Sequence, residues 1–466
     1  MAPVLVAPRP VARPWPLTVQ PWTACDAAAA AARLRGRPGL AWLDSAMTHP
    51  RLGRWSIVAS DPRWTLTAYG SEVLYDGPCG PRRLRPGALA AFARAVEAEP
   101  PPEGLPAGLP FVGGAIGYLG FELGREVERL PATTLDDVGA PDLAMAWYDA
   151  AFVWDGLEAR GWLVGRAEAV AALRERLAVP DHLDVPRDAH IDAHATDLRS
   201  NMTRTAYVAA VERARAYIRA GDIYQVNVAQ RFSARALGEG FDLYRRLRAV
   251  SPAPFAAYLD GRTAFGGIEV LSSSPERFLL ADGPHVETRP IKGTRPRGQS
   301  IEDDRRLAAE LLASAKDRAE HLMIVDLERN DLGRIAEPGS VRVPEFAALE
   351  SYEQVHHMTS SVTATRRPGA GLEPLLRATF PGGSITGAPK VRAMEVIDEL
   401  EPTVRGVYTG AIGYVSAHGR LDLNIAIRTI TLADGVAHLH AGGAIVHDSR
   451  PEDEYAETLH KARGMA

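Results

Sequence analysis

Short apolar stretches cut by glycine and proline restrict the fold of this chain more than any other feature. Between about residues 38 and 80 such stretches, Trp55-Ser-Ile-Val-Ala among them, read as antiparallel strands. Strand patterns return at 408–416, 421–431 and 436–446. Helical spacing appears at 85–99 and 166–178, and at 203–220, where Tyr207, Val211, Ala214 and Ile218 share a face. Two further helices are predicted at 303–323 and at 389–400, the second with Pro389 in its first turn, where a missing N–H costs little. Gly-Ala-Ile-Gly-Tyr occurs at 114–118 and again at 410–414, as either a remnant of a repeat or two strands with similar close packing.

The chain's 466 residues suffice for two or three domains or one large two-layered unit. Residues 1–20 carry five prolines and read as a poorly ordered arm. Residues 21–185 form an N-terminal region, 179–200 a polar linker or crossing loop, and 200–466 the region richest in motifs. A net charge of −5 argues against a nucleic-acid or anionic-membrane surface. No apolar run is long enough to span a bilayer, and Cys25 and Cys79 form no metal or disulfide pattern, so a reducing cytoplasm is expected.

Lys292 lies in Glu-Thr-Arg-Pro-Ile-Lys-Gly-Thr-Arg-Pro-Arg-Gly, residues 287–298, between turn-forming Pro290 and Gly293. A tight bend there could aim its amine at a substrate. Such a lysine is a solvated surface residue, or, desolvated beside cations such as Arg289, Arg295 and Arg297, a nucleophile. Asp317 and Glu320 are three residues apart on a predicted helix, as are Glu454 and Glu457 near the C-terminus. Each pair shares a helix face. They are two solvated faces or, brought together, oxygen ligands for a hard dication such as Mg²⁺. Phe-Pro-Gly-Gly-Ser-Ile-Thr-Gly-Ala-Pro-Lys, 380–390, is a glycine-rich loop entering a helix, suited to an anion or to a capping turn; it lacks the Walker pattern, so a carboxylate suits it better than a nucleotide phosphate. In 422–428 strand alternation puts Asp422, Asn424, Ala426 and Arg428 on one face, and Arg428 there needs an anionic partner from protein or ligand.

Together these segments resemble the chorismate-utilising enzymes, with the Pro-Ile-Lys-Gly-Thr signature at 290–294. The similarity runs through most of 200–466 and more faintly through 35–150. Within the family the chain is most similar to the aminodeoxychorismate synthase component I branch; the anthranilate synthase branch normally carries alanine at the position of Lys292. The resemblance implies an α+β unit, two large antiparallel β-sheets packed against each other with helices outside, the N-terminal half adding strands to a joint core. It implies Mg²⁺ on Asp317, Glu320, Glu454 and Glu457, and chorismate contacts at Ser384, Tyr408, Arg428, Gly442 and Gly443, with Ala444 replacing a third glycine of many relatives. It makes Lys292 the nucleophile at ring carbon 2, Glu276 the general acid for the departing hydroxyl (or the partner of Arg277), and His357 an active-site histidine, leaving His356 structural. Gln225 stands where isochorismate- and salicylate-forming branches have a water-activating lysine, so ammonia rather than water is the expected nucleophile.

Neither cysteine sits in a Gly-x-Cys-x-Gly elbow, which leaves ammonia to come from solution or from a separate glutamine amidotransferase subunit. The region around Trp42-Leu-Asp-Ser45-Ala resembles the family's tryptophan pocket, with Ser45 as its marker. The reaction implied is chorismate to 4-amino-4-deoxychorismate, toward 4-aminobenzoate and folate. Anthranilate formation is the alternative, and a non-catalytic tryptophan sensor is the alternative of another class.

Overall fold

The computed structural model describes residues 13–49, 51–85, 87–104, 108–178, 196–352 and 355–465. Among these residues two twelve-stranded antiparallel sheets carry the fold, with helices around them. The first sheet runs from Ile291–Pro296 through Val355–Thr365, His285–Arg289, Arg277–Asp282, Leu421–Asn424, Ala411–Ser416, Gly114–Leu119 and Leu143–Tyr148 to Trp64–Tyr69 and two edge strands. The second places Gln225–Arg235 and Val436–Ile445 beside Thr429–Ala433 and Glu269–Ser274, then Phe255–Leu259, Ala41–Asp44 and Trp55–Ala59. Each sheet thus joins a block of strands from the C-terminal half to a block from the N-terminal half, meeting at Ala411–Ser416 beside Gly114–Leu119 and at Phe255–Leu259 beside Ala41–Asp44. The largest apolar cluster joins Trp64, Phe92 and Leu143 to Phe278, Leu376 and Ile397. The two Gly-Ala-Ile-Gly-Tyr segments lie side by side and antiparallel, with Gly117 opposite Gly413.

Two strand pairs of the C-terminal half change sheet at the same place. Chain 269–282 passes from the second sheet to the first at Pro275 and Glu276, and chain 421–433 passes back between Ile425 and Arg428. The crossings are tied together: Ile425 N–H donates to the Glu276 carbonyl at 3.0 Å, and Ser273 N–H donates to the Arg428 carbonyl at 3.0 Å. Strands that switch sheets make the corners of such packings, and here they leave Glu276 and Arg428 between the two layers.

Several expectations need correction. Residues 1–12 lie outside the described residues, but Trp15–Pro16 and Thr18–Trp22 are strands paired to Pro102–Glu103 and Arg160–Gly165, so the proline-rich stretch is not a loose arm as far as residue 20. Trp15, Pro16 and Pro21 sit in short edge pairings, where proline is tolerated. Of the linker, 179–195 lies outside the described residues and Thr196–Ser200 is a strand. The helix predicted at 303–323 is two helices, Ile301–Ala313 and Ala315–Gly333, because Ser314 leaves helical geometry and caps the second by accepting from Asp317 N–H. The strand predicted at 421–431 is broken by the sheet crossing. The helix at Arg204–Ala220 behaves as read, with Thr203 as its cap and Gly221 left-handed at its end. No helix among the described residues is long and apolar enough to cross a membrane.

Candidate active site

Lys292 is carried on the strand Ile291–Pro296 and not on a tight bend. The bend survives as a register shift between Lys292 and Thr294, with Gly293 at φ +77°. A Cβ on Gly293 would meet Leu311 Cδ1 at 2.8 Å, so the position needs glycine for space as well as for backbone angle. The bulge turns Lys292 toward the glycine-rich loop, where its Nζ donates to the Ser384 carbonyl at 2.9 Å. Asn227, on the opposite sheet, donates to the same carbonyl at 3.2 Å. Ser384 also bonds through its side chain to the Glu276 carboxyl, which is 4% exposed and accepts from Ile291 N–H.

Lys292 and Glu276 therefore face each other across Ser384 with their charges perturbed in opposite senses. Burial pushes Lys292 below the usual lysine range, opposed by Glu276, Glu320 and Glu457 and reinforced by Lys461. Burial lifts Glu276 above the usual carboxylate range, opposed by Ser384, Lys292 and the Ile291 amide. The cations expected beside Lys292 are engaged elsewhere. Arg289 pairs with Glu345 and Glu350, Arg295 with Asp317, and Arg297 with Asp304. Desolvation, assisted by Lys461, takes their place. Arg277 does not pair with Glu276; it holds Asp422 at 3.0 Å and Glu287 at 3.4 Å.

Arg428 is half-buried at φ +51°, and no ion pair reaches it among the described residues. Burial alone lowers its affinity for its proton, the condition of a cation awaiting an anion. His357 is 3% exposed and bonds Thr294 Oγ1 through Nδ1 at 2.9 Å; burial, reinforced by the charge of Arg428, pushes it down to about 4, hence neutral. His356 points the other way, to Asp304 and Ser351. Gln225 is fully buried, and its Oε1 has no partner in the described structure. Tyr408 stacks on His440 with centroids 5.0 Å apart, and burial raises its hydroxyl to about 12.

The four acidic residues lie on two helices, Ala315–Gly333 and Pro451–Arg463, and sense one another. Asp317 and Glu457 raise Glu320, and Glu457 raises Glu454, in each case behind the larger effect of burial. Their side chains are engaged singly: Asp317 with Arg295 at 2.9 Å, Glu454 with Ser449 at 2.7 Å, Glu457 with Lys461 at 2.7 Å. Among the described residues no three such groups stand close enough to enclose an ion. The chemistry still fits a hard dication. All donors are carboxylate oxygens, Glu320 Oε1 is buried without a hydrogen bond, and a Cβ on Gly443 would stand 3.0 Å from Glu454 Oε2.

Ser45 is not part of this cluster. Its hydroxyl donates to the Trp55 carbonyl at 2.6 Å, and it lines a separate cavity of about 250 Å³ with Arg51, Arg54, Pro254, Arg277 and Tyr414. Sequence reasoning missed Lys461, Asn227 and His440. Lys461 follows Glu457 by four residues on the same helix face, and Asn227 follows Gln225 by two on the same strand face, so both were readable from spacing. Nothing in the sequence marks His440 as a neighbour of Tyr408.

Comparison with known proteins bears on the family and the fold. Residues 41–466 match the chorismate binding enzyme family. Aminodeoxychorismate synthase component 1 of Salmonella typhimurium is 42% identical over 423 residues, covering 89% of each chain. Anthranilate synthase component 1 of Cereibacter sphaeroides is 40% identical, covering 89% of this chain and 85% of that one. The crystal structure of anthranilate synthase component I from Streptococcus pneumoniae superposes with a TM-score of 0.79 at 34% identity, over 90% of this chain and 93% of that one.

Proposed function

This chain belongs to the chorismate-binding enzyme family, and from that premise we propose that it catalyses the reaction of aminodeoxychorismate synthase component I. Chorismate and ammonia give 4-amino-4-deoxychorismate and water, on the route to 4-aminobenzoate and folate. The observation that carries this reading is the desolvated amine of Lys292 opposite a buried carboxyl, Glu276, with Ser384 bridging them. A family member that lacks a lysine here can add ammonia only directly. One that has it can form a covalent intermediate.

The productive form has one proton on Glu276 and none on Lys292. Lys292 Nζ forms a bond to ring carbon 2, both ring double bonds shift along the ring, and the bond from carbon 4 to its hydroxyl breaks as Glu276 delivers its proton, releasing water. Ammonia then bonds to carbon 4, both double bonds shift back, and the bond from carbon 2 to Lys292 breaks. The Glu276 carboxylate recovers a proton shed by the nitrogens. Arg428 would hold a substrate carboxylate by a forked contact, and Tyr408, Gly442 and Gly443 would line the rest of the pocket. Neutral His357 can accept or donate one hydrogen bond without bringing charge. Gln225, a poor base, leaves water unactivated. Asp317, Glu320, Glu454 and Glu457 would hold Mg²⁺, which when bound neutralises a substrate carboxylate and fixes its orientation.

Ammonia would be supplied by a separate glutamine amidotransferase subunit, since neither Cys25 nor Cys79 lies in a nucleophile elbow. The cavity at Ser45 is of a size for an amino acid such as tryptophan. The test is incubation with chorismate, Mg²⁺ and ammonium salt. The expected product is aminodeoxychorismate, converted to 4-aminobenzoate by an added lyase. Fluorescent anthranilate formed without any lyase would contradict the proposal.

A further inference from the structure

Glu328 lies on the helix Ala315–Gly333, eight residues beyond Glu320 and outside every role assigned above. It is 3% exposed, and its Oε1 accepts from Gly383 N–H at 2.9 Å. Gly383 immediately precedes Ser384, whose carbonyl holds Lys292 and whose side chain holds Glu276. The fit at Gly383 is close: a Cβ there would stand 2.6 Å from Leu327 Cδ2 and 3.0 Å from Glu328 Oε1. The loop therefore rests directly on this carboxyl.

The charged groups around Glu328 come from three elements. Asp331, on the same helix, is paired with Lys390 at the start of the helix Lys390–Leu400, and Arg334 also acts on Asp331. Glu276 faces Glu328 from the sheet crossing. Lys390 also donates to the Thr379 carbonyl and is shared by the two acids, so Glu328 has no cation of its own. We propose that Glu328 is a positioning residue for the reaction: it fixes the Gly382–Ser384 turn through the Gly383 amide and places a titratable charge behind the Glu276–Lys292 pair. Burial, with Asp331 adding to it and Lys390 opposing it, holds Glu328 above the usual carboxylate range. As pH rises and Glu328 ionises, its charge opposes loss of the one proton that Glu276 and Lys292 share. The alkaline end of the productive range is thereby extended, while at low pH Glu328 is neutral and acts only as an acceptor.

The inference rests on the function proposed above for that pair, so its test includes a readout that needs no turnover. Full-length wild type, Glu328→Gln and Glu328→Leu are labelled with acetic anhydride across a pH series, and Lys292 acetylation is read by peptide mass spectrometry. The same proteins are assayed for chorismate amination with free ammonia held constant. Glutamine keeps an acceptor for Gly383 but carries no charge. Glu328→Gln should shift both Lys292 labelling and the alkaline limb of kcat/KM acidward by about half a pH unit or more, leaving the acid limb in place and chorismate KM within about twofold. Glu328→Leu removes the acceptor and should raise KM as well. If labelling in the glutamine variant superimposes on wild type, Glu328 is only structural and the proposal fails. If labelling shifts but wild type does not aminate chorismate, the electrostatic link stands and the assigned reaction is what fails.

Discussion

Residues that act in this site are held in states that ordinary folding would avoid. Arg428 is the plainest case: half-buried, left-handed in backbone and without an anionic partner among the described residues. Such a cation costs stability until a ligand meets it. Arg428→Met should therefore raise the melting temperature slightly, by the equivalent of about 1 kcal/mol, while raising chorismate KM about tenfold to a hundredfold, the worth of a charge-assisted contact; differential scanning fluorimetry beside steady-state kinetics reads both. The Glu276–Lys292 pair makes a second statement. Activity needs one proton on Glu276 and none on Lys292, so gaining a second proton at low pH or losing the shared one at high pH ends it. Burial raises the acid and lowers the amine, so both limbs of the kcat/KM profile move inward. With free ammonia held constant, the bell should be narrower than the span from about 4.3 to about 10.4 set by unperturbed groups. The residue types at these positions were legible from motifs. Their protonation was not, because it depends on which cations approach Lys292, and Arg289, Arg295 and Arg297 are committed to other acids.

At the scale of elements, the sequence marks periodic segments well and crossings poorly. The helices Arg204–Ala220, Ala167–Ala178 and Lys390–Leu400 agree with their apolar spacing to within a residue or two. The alternation at 422–428 looked like one continuous strand, but a chain that switches sheets keeps an apolar residue at each turn and hides the break from periodicity. Ser314 similarly divides two helices with no proline or glycine to announce it. The acidic site depends on how the helix Pro451–Arg463 meets the strand Val436–Ile445 and how the helix Ala315–Gly333 meets the strand Ile291–Pro296. Gly443 leaves the space beside Glu454 open, so Gly443→Ala should fold normally, since its backbone is not left-handed, yet bind Mg²⁺ at least about tenfold more weakly. Titration calorimetry of the chain without substrate measures this directly. Unchanged Mg²⁺ affinity would remove the acidic cluster from consideration as the metal site.

The whole molecule behaves as one folding unit in its topology. Gly114–Leu119 lies between Ala411–Ser416 and Leu143–Tyr148, and Ala41–Asp44 lies between Phe255–Leu259 and Trp55–Ala59. A joint core was legible through the family resemblance and not from any local pattern. The order of strands was not, because pairing across so many residues leaves no local signal. A fragment covering 200–466 would expose two unpaired sheet edges and half of the common core. It should aggregate or remain unfolded when expressed alone, and co-expression with 13–185 should recover soluble, protease-resistant protein. A monomeric 200–466 fragment with a sharp thermal transition would contradict this.

The central claim is that Lys292 is the nucleophile that directs ammonia to carbon 4. Its most direct measurement is intact-protein mass spectrometry of wild type and Lys292→Ala after exposure to chorismate and Mg²⁺ without ammonia, paired with product identification once ammonia is added. The account predicts that wild type gains the mass of chorismate less one water, that the adduct maps to Lys292, and that it disappears as aminodeoxychorismate forms. The alanine variant should fold and bind chorismate yet show no adduct and no aminodeoxychorismate, with at most slow anthranilate from direct attack at carbon 2. Aminodeoxychorismate made by Lys292→Ala at the wild-type rate would contradict the account.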